Sequence, residues 1–206
     1  MNKVKIGVIG AGWWATENHI PHLAERDEVE LTSVCKLEED QLSFVKNKFN
    51  FKHASTDFKE MLDLSYLDGV VISSPHHAHY ENAKAALEKN CHVMIEKPMT
   101  TVSREAERLL QLAKKKNKHI LIPNGFNFKN FMSKAEEIII NKKIGEIKHV
   151  DAAFSSSLTD LFQGIPLSES NNHTFQPHAS TWSDPNKGGG YGWGPVSYTH
   201  LRAHET

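Results

Sequence analysis

The feature that most limits what this chain can fold into lies within its first fifteen residues. A six-residue apolar run, Val4 to Ile9 (VKIGVI), stops at Gly10-Ala-Gly12-Trp-Trp-Ala15, and a helical stretch follows to about Ala24. A short apolar run that ends at glycines reads as a buried strand. Small residues at this spacing permit a tight turn, a backbone bare enough for a pyrophosphate to approach, and close packing of the next helix. The N-terminus of that helix then offers oriented N–H groups to an anion. Pro21 should split or kink the helix, because proline lacks the N–H that an interior turn needs.

The pattern after this turn decides whether the motif has its proper setting. Glu30 to Cys35 (ELTSVC) reads as a second strand, followed by Leu42, Val45 and Phe49 at helical spacing. Asp57 with Glu60 resembles a capping box opening a short helix with Met61 and Leu62. Asp68 to Ser74 is a third strand, stopped by Pro75. Ala83, Ala86 and Leu87 share a helix face, and Asn90 suits a left-handed stop after it. His92 to Ile95 is a strand, Ala106, Leu109, Leu110 and Ala113 make another helical face, and His119 to Ile122 is a strand again. Strands alternating with helices predict a doubly wound α/β domain, a parallel sheet covered on both faces, over residues 1–123.

Composition sets outer bounds. Hydrophobic residues make up 39% and charged residues 24%, which suffices for a packed core. A formal net charge of −1 supplies no basic field for nucleic acid or anionic membrane. The one basic run, Lys114-Lys115-Lys116, falls where a helix should end and complements its dipole. No apolar run reaches the length of a membrane span, and the N-terminus carries no signal-peptide pattern. Cys35 and Cys91 have neither zinc-ligand nor redox spacing and read as buried free thiols. The expected compartment is the cytoplasm.

Beyond residue 123 the alternation breaks. A helix through Ala135, Ile138 and Ile139 should end before Gly145, and Ile147 to Ser156 reads as a strand. Gly164 to Gly194 is rich in Gly, Pro, Ser, His and Asn, long for a connection inside a finished domain. Residues 124–194 therefore read as the start of an α+β second domain that does not close. The stretch from Val196 to Thr206 (VSYTHLRAHET) matches a translated transposase-type sequencing adapter. Residues 195–206 are expected to be non-native, which removes His200 and His204 from consideration. Order is expected to about Ser156, with a mobile stretch after it.

Three further groups bear on chemistry. An acid usually stands at the end of the second strand to hold the ribose of NAD; here Lys36 occupies that place, 24 positions after Gly12. A lysine cannot accept from a hydroxyl but can neutralise a 2′-phosphate, which favours NADP over NAD, although Glu38 or Glu39 is near enough to reach the ribose. Glu96-Lys97-Pro98 follows directly on the strand HVMI, at a carboxyl end where doubly wound sheets bind ligands. An acid–lysine pair there can place a substrate hydroxyl and tune the lysine. Pro75-His76-His77-Ala78-His79 invites a zinc reading, but lacks a carboxylate or cysteine at ligand spacing and fits better as a loop and helix start near the nicotinamide. His19 and His22, three apart in a helical region, read as surface or interface residues.

Together these landmarks resemble the Gfo/Idh/MocA oxidoreductases. The resemblance rests on Gly10-Ala-Gly12, Asp68 through Ser74-Pro75 with His79, Ala86-Leu87 before His92-Val93, Glu96-Lys97-Pro98 and Ile144-Gly145-Glu146-Ile147, and runs to about residue 194. It implies hydride transfer between NAD or NADP and a secondary alcohol of a sugar, cyclitol or related polyol. It implies too a substrate domain that often forms a homo-oligomer interface. Under it, Lys97 would bond the reacting hydroxyl and assist proton transfer. Gly10, Gly12, Trp13, Trp14 and Ala15 would form the pyrophosphate turn, with Lys36 at the adenosine ribose and Ser74, Pro75, His79 and Glu96 toward the nicotinamide. The family usually brings an aspartate and a histidine after the glycine triplet; Gly194 stands at the aspartate position, and no histidine follows before the adapter-like tail. A dinucleotide-binding regulator without turnover, or a dehydratase or glycosidase using NAD transiently, is the alternative on the same fold.

Overall fold

A computed structural model describes residues 2–64, 66–151, 165, 172–176 and 183–187. Six parallel strands form one sheet: β1 (Val4–Ile9), β2 (Val29–Cys35), β3 (His53–Ser55), β4 (Gly69–Ile72), β5 (His92–Ile95) and β6 (Ile120–Leu121). Their order is β3-β2-β1-β4-β5-β6. The winding reverses between β1 and β4, and a crevice at the carboxyl ends of these two strands is where such sheets receive ligands. The fold is the expected α/β Rossmann arrangement. Strand β3 was not foreseen, because three residues with one fully buried side chain leave no readable period.

The helices explain the two-sided cover. Helices α1 (Ile20–Ala24) and α2 (Glu39–Lys48) pack on one face, where Val8, Ile20, Val34, Leu42 and Val45 form a core. Helices α3 (Phe58–Asp63), α4 (His79–Glu88) and α5 (Ser103–Lys116) serve a second core built on Met61, Ile72, Leu87, Ile95 and Leu109. The two faces carry alternate strand residues, such as Val8 and Ile9 of β1, as the period of two requires. Asn90 and Asn117 adopt left-handed φ values of 61° and 52° just past α4 and α5. Helix α5 ends at the lysine run, as charge and dipole favour.

Asp57 caps α3 by accepting from the N–H groups of Lys59 (2.8 Å) and Glu60 (2.9 Å). The reciprocal half of the expected capping box is absent: Glu60 instead accepts from the Ser55 hydroxyl (2.5 Å), and Ser55 Oγ accepts from the Asp57 N–H (3.0 Å). Ser55 thus stands between the two ends of the box. Helix α6 (Asn130–Ile140) ends before Gly145 as read from sequence. The strand expected from Ile147 does not form over residues 147–151, which are exposed and carry no ladder partner; its remainder, like the adapter-like tail and the glycine triplet, lies outside the described residues. None of the described helices is long and apolar enough to cross a membrane.

Candidate active site

The glycine turn is shaped by its neighbours. Gly10 has φ +84°, and a Cβ there would come within 2.4 Å of the Ser74 backbone nitrogen, so any side chain would collide with the loop after β4. The N–H groups of Gly10 and Ala11 donate to the Cys35 carbonyl (3.0 and 3.2 Å), which ties the turn to the end of β2. At Gly12 the situation is opposite: an added Cβ would meet only the Gly10 carbonyl oxygen, at 4.0 Å. This bare backbone at the opening of a helix fits a pyrophosphate. Ala15 is fully buried and does the helix-packing work expected of the third small position.

The helix after this turn is not a regular α-helix. Residues Ala15–His19 form a π turn, and the Ile20 N–H reaches back five residues to the Ala15 carbonyl. Pro21 follows at the start of α1. A wide turn here lets the chain meet a proline without driving its ring into the preceding carbonyl. The split expected at Pro21 therefore occurs before it.

The π turn also aims His19. Its Nε2 lies 2.7 Å from Glu96 Oε1, and the Trp14 indole N–H donates to the same oxygen at 2.8 Å. His19 and Glu96 side chains are only 15% and 12% exposed, so of the surface or interface positions expected for the two histidines, His22 is at the surface and His19 is not. Glu96 therefore engages the glycine-turn helix, and its charge also acts on the neighbouring Lys97. Its link to Lys97 runs through the Lys97 backbone N–H, which donates to Oε2 at 3.1 Å. Burial pushes the Glu96 carboxyl upward. The bonds from His19 and Trp14, the charge on His19 and the Lys97 N–H outweigh that and hold it below the usual carboxylate range. For Lys97 burial dominates, and its ammonium is held below the ordinary lysine value against the pull of Glu96.

Behind these residues sits His79, with no exposed surface. Its Nδ1 lies 2.8 Å from the Pro98 carbonyl and its Nε2 2.8 Å from the Ser74 carbonyl. Ser74 is held a second time through its hydroxyl, which donates to Asn82 on the same face of α4 (2.7 Å). His79 thus fastens the loop after β4 to the turn after β5, where the Lys97–Pro98 peptide is cis. It lies buried behind Ser74 and Pro98, between the two turns. With both ring nitrogens against carbonyls, His79 has neither to offer a metal. Two carbonyl acceptors ask for the imidazolium; burial opposes that charge more strongly and lowers the pKa to about 4.

Lys36 directly follows β2 as expected, but its ammonium is paired with Glu38 (2.8 Å) and its side chain is only 12% exposed. The Phe175 ring lies 5.1 Å from that ammonium, and the His173 ring stacks on Trp13. Sequence reasoning missed His19, His173 and Phe175. Each acts through a partner distant in the chain, and the only local hint was the proline two residues after His19. Cys35 and Cys91 are buried free thiols, which desolvation pushes up to about 12 and about 11.

Comparison with known proteins agrees with this fold. Over 144 residues the chain is 30% identical to D-glucoside 3-dehydrogenase of Escherichia coli K12, covering 70% of this chain and 41% of that protein. Over 190 residues it is 27% identical to scyllo-inositol 2-dehydrogenase (NADP(+)) of Bacillus subtilis 168, covering 87% and 53%. The crystal structure of myo-inositol 2-dehydrogenase from Lactobacillus plantarum matches with a TM-score of 0.65 at 26% identity, over 71% of this chain and 43% of the other. The chain thus spans about half the length of the relatives it matches. The profile of the Gfo/Idh/MocA oxidoreductases, an NAD-binding Rossmann fold, matches residues 4–123, and the chain belongs to that family.

Proposed function

We propose that this chain supplies the dinucleotide-binding part of an NAD(P)-dependent oxidoreductase acting on a secondary hydroxyl of a sugar, cyclitol or related polyol. The observation that carries the reading is the joint between Trp14 and Glu96. It brings the glycine turn, where Gly10, Gly12, Trp13, Trp14 and Ala15 would hold the pyrophosphate, against the turn that carries Lys97. When bound, the nicotinamide would exchange a hydride with the substrate carbon. Lys97, held below its ordinary pKa by burial, is more readily a free amine and can take the proton from the reacting hydroxyl. Glu96, fixed by Trp14 and His19, keeps that lysine turn in place. Ser74 and Pro75, backed by His79, would form the nicotinamide wall.

The finer assignment of cofactor rests on Lys36. We propose that its ammonium meets the 2′-phosphate of NADP, with Glu38 yielding part of its ion pair; the similar Bacillus subtilis enzyme carries NADP(+) in its name. A charge-assisted bond of this kind is worth about 1.5–3 kcal/mol, so NADP should bind about tenfold more tightly than NAD. Titration with NADPH and NADH, followed by nicotinamide fluorescence, tests both levels. Lys36→Asp should reverse the preference. Tighter binding of NADH by the wild type overturns the NADP assignment, and no binding of either overturns the dinucleotide reading.

A further inference from the structure

Residues 172–176 fold back across the adenosine end of the crevice. The Thr174 N–H donates to Glu17 Oε1 (2.8 Å), and Lys48 donates to the Thr174 hydroxyl (3.0 Å). These two bonds fix the segment between the glycine-turn helix and α2. On one side of Thr174, His173 stacks on Trp13 with centroids 5.8 Å apart and planes 13° from parallel. On the other, Phe175 packs on the core beneath α1 and α2, meets Phe44 edge-on at 6.0 Å, and presents its ring to the Lys36 ammonium. Farther along, the short helical turn Pro185–Lys187 packs against His76–Ala78 at the opposite end of the crevice.

Lys36 therefore has two neighbours competing for its charge. Glu38 cancels it from one side, and the negative face of the Phe175 ring attracts it from another. A 2′-phosphate would have to draw the ammonium away from both, whereas ribose hydroxyls could donate to Glu38 and leave the ring contact intact. His173 adds an independent sign that a ligand belongs here: its Nδ1 is buried without a hydrogen-bond partner beside the glycine turn. Buried polar atoms are normally satisfied, so an unpartnered ring nitrogen beside the glycine turn calls for an explanation.

We propose that Phe175 is a cofactor-selectivity residue, acting through Lys36 to restrain its preference for the 2′-phosphate, and that His173 and Phe175 form the outer wall of the adenosine subsite. The proposal rests on the dinucleotide reading above. Calorimetric titration of the 206-residue chain with NADP and NAD tests it, with melting curves to establish folding. Phe175→Ala should shift the ratio of the two dissociation constants toward NADP by about two- to fivefold, the worth of a partly exposed cation–ring contact. Phe175→Leu keeps the apolar contact without the ring and should shift the ratio the same way; Phe175→Tyr keeps the ring and should restore it. An unchanged ratio, or equal weakening of both cofactors in the folded Leu variant, overturns the selectivity role and leaves the dinucleotide reading standing. If neither cofactor binds any variant or the wild type, both fall together.

Discussion

Acidification offers the most direct physical test of the site, because it acts on the buried imidazole that joins two of its loops. Burial lowers the His79 pKa from 6.5 to about 4, while the Pro98 and Ser74 carbonyls and the charge of Glu96 pull it upward and His76 pushes it down. The His76 ring faces it edge-on at 5.7 Å. In the unfolded chain the same ring titrates near the ordinary histidine value, so between these two pKa values the unfolded state binds the proton and the native state does not. The contribution is complete above about pH 6.5 and is lost as the pH falls toward 4; below that no further loss comes from this residue. The interval corresponds to about 3 kcal/mol, a large part of a domain's stability. Urea unfolding followed by circular dichroism, for wild type and His79→Gln at about pH 7 and about pH 4.5, isolates the effect. Glutamine can donate to one carbonyl but does not titrate, and groups common to both proteins cancel in the difference. The variant should start less stable at neutral pH and lose less on acidification. Parallel losses in the two proteins would show that His79 holds its proton in the native state, and the account of a neutral staple would be wrong.

Three other expectations concern separate parts of the molecule. In a full-length enzyme carrying this domain, Lys97→Ala should lower kcat by about 10² or more while the dissociation constant for NADPH moves little, as rapid-mixing and binding measurements would reveal. A variant keeping most of its turnover removes Lys97 from the proton transfer. Asp57→Ala should cost about 1 kcal/mol, the usual worth of an N-cap, read from the shift in urea midpoint; Asp57→Asn should recover most of it. The two thiols, held up to about 12 and about 11, should resist iodoacetamide at about pH 8 in the native protein and react once urea exposes them. Rapid native labelling of either, detected by mass spectrometry, contradicts the buried assignment.

Most strands could be read from the chain because each is a short apolar run with a glycine, proline or polar stop beside it. Val4–Ile9 and His92–Ile95 are found where their patterns place them, since burial on both faces forces continuous hydrophobicity. Local chemistry also explains why Asn90 and Asp57 were legible: a left-handed stop and an N-cap are decided within a few residues. The wiring of the site was not. His19 meets Glu96 across 77 positions and Trp14 meets it across 82, and nothing near either residue encodes that meeting. The Glu96–Lys97 dipeptide suggested by adjacency that the carboxylate acts on the lysine, but its bonds to the glycine-turn helix could not be read there. Phe175 was hidden for another reason. It lies in a stretch whose glycines, prolines and polar residues mask an aromatic that settles on a core assembled mostly from the first half of the chain.

The π turn between Ala15 and His19 makes the arrangement sensitive to chain length in a way that no side-chain substitution would reveal. Removing one residue from Thr16 to Asn18 would let the segment relax to ordinary i→i+4 winding, and because that turn holds one residue fewer, the side chains after the deletion would keep their direction. His19 could still face Glu96 and Ile20 its core. Adding a residue is different: the turn is already widened, and each side chain beyond the insertion would rotate by roughly 100° relative to the glycine turn. His19 would then leave Glu96 and the buried Ile20 its core, and the carboxylate would keep one partner fewer. A relative one residue shorter here can hold its glutamate with a regular helix, so counting residues between the glycine turn and the proline is a more telling comparison than matching their identities.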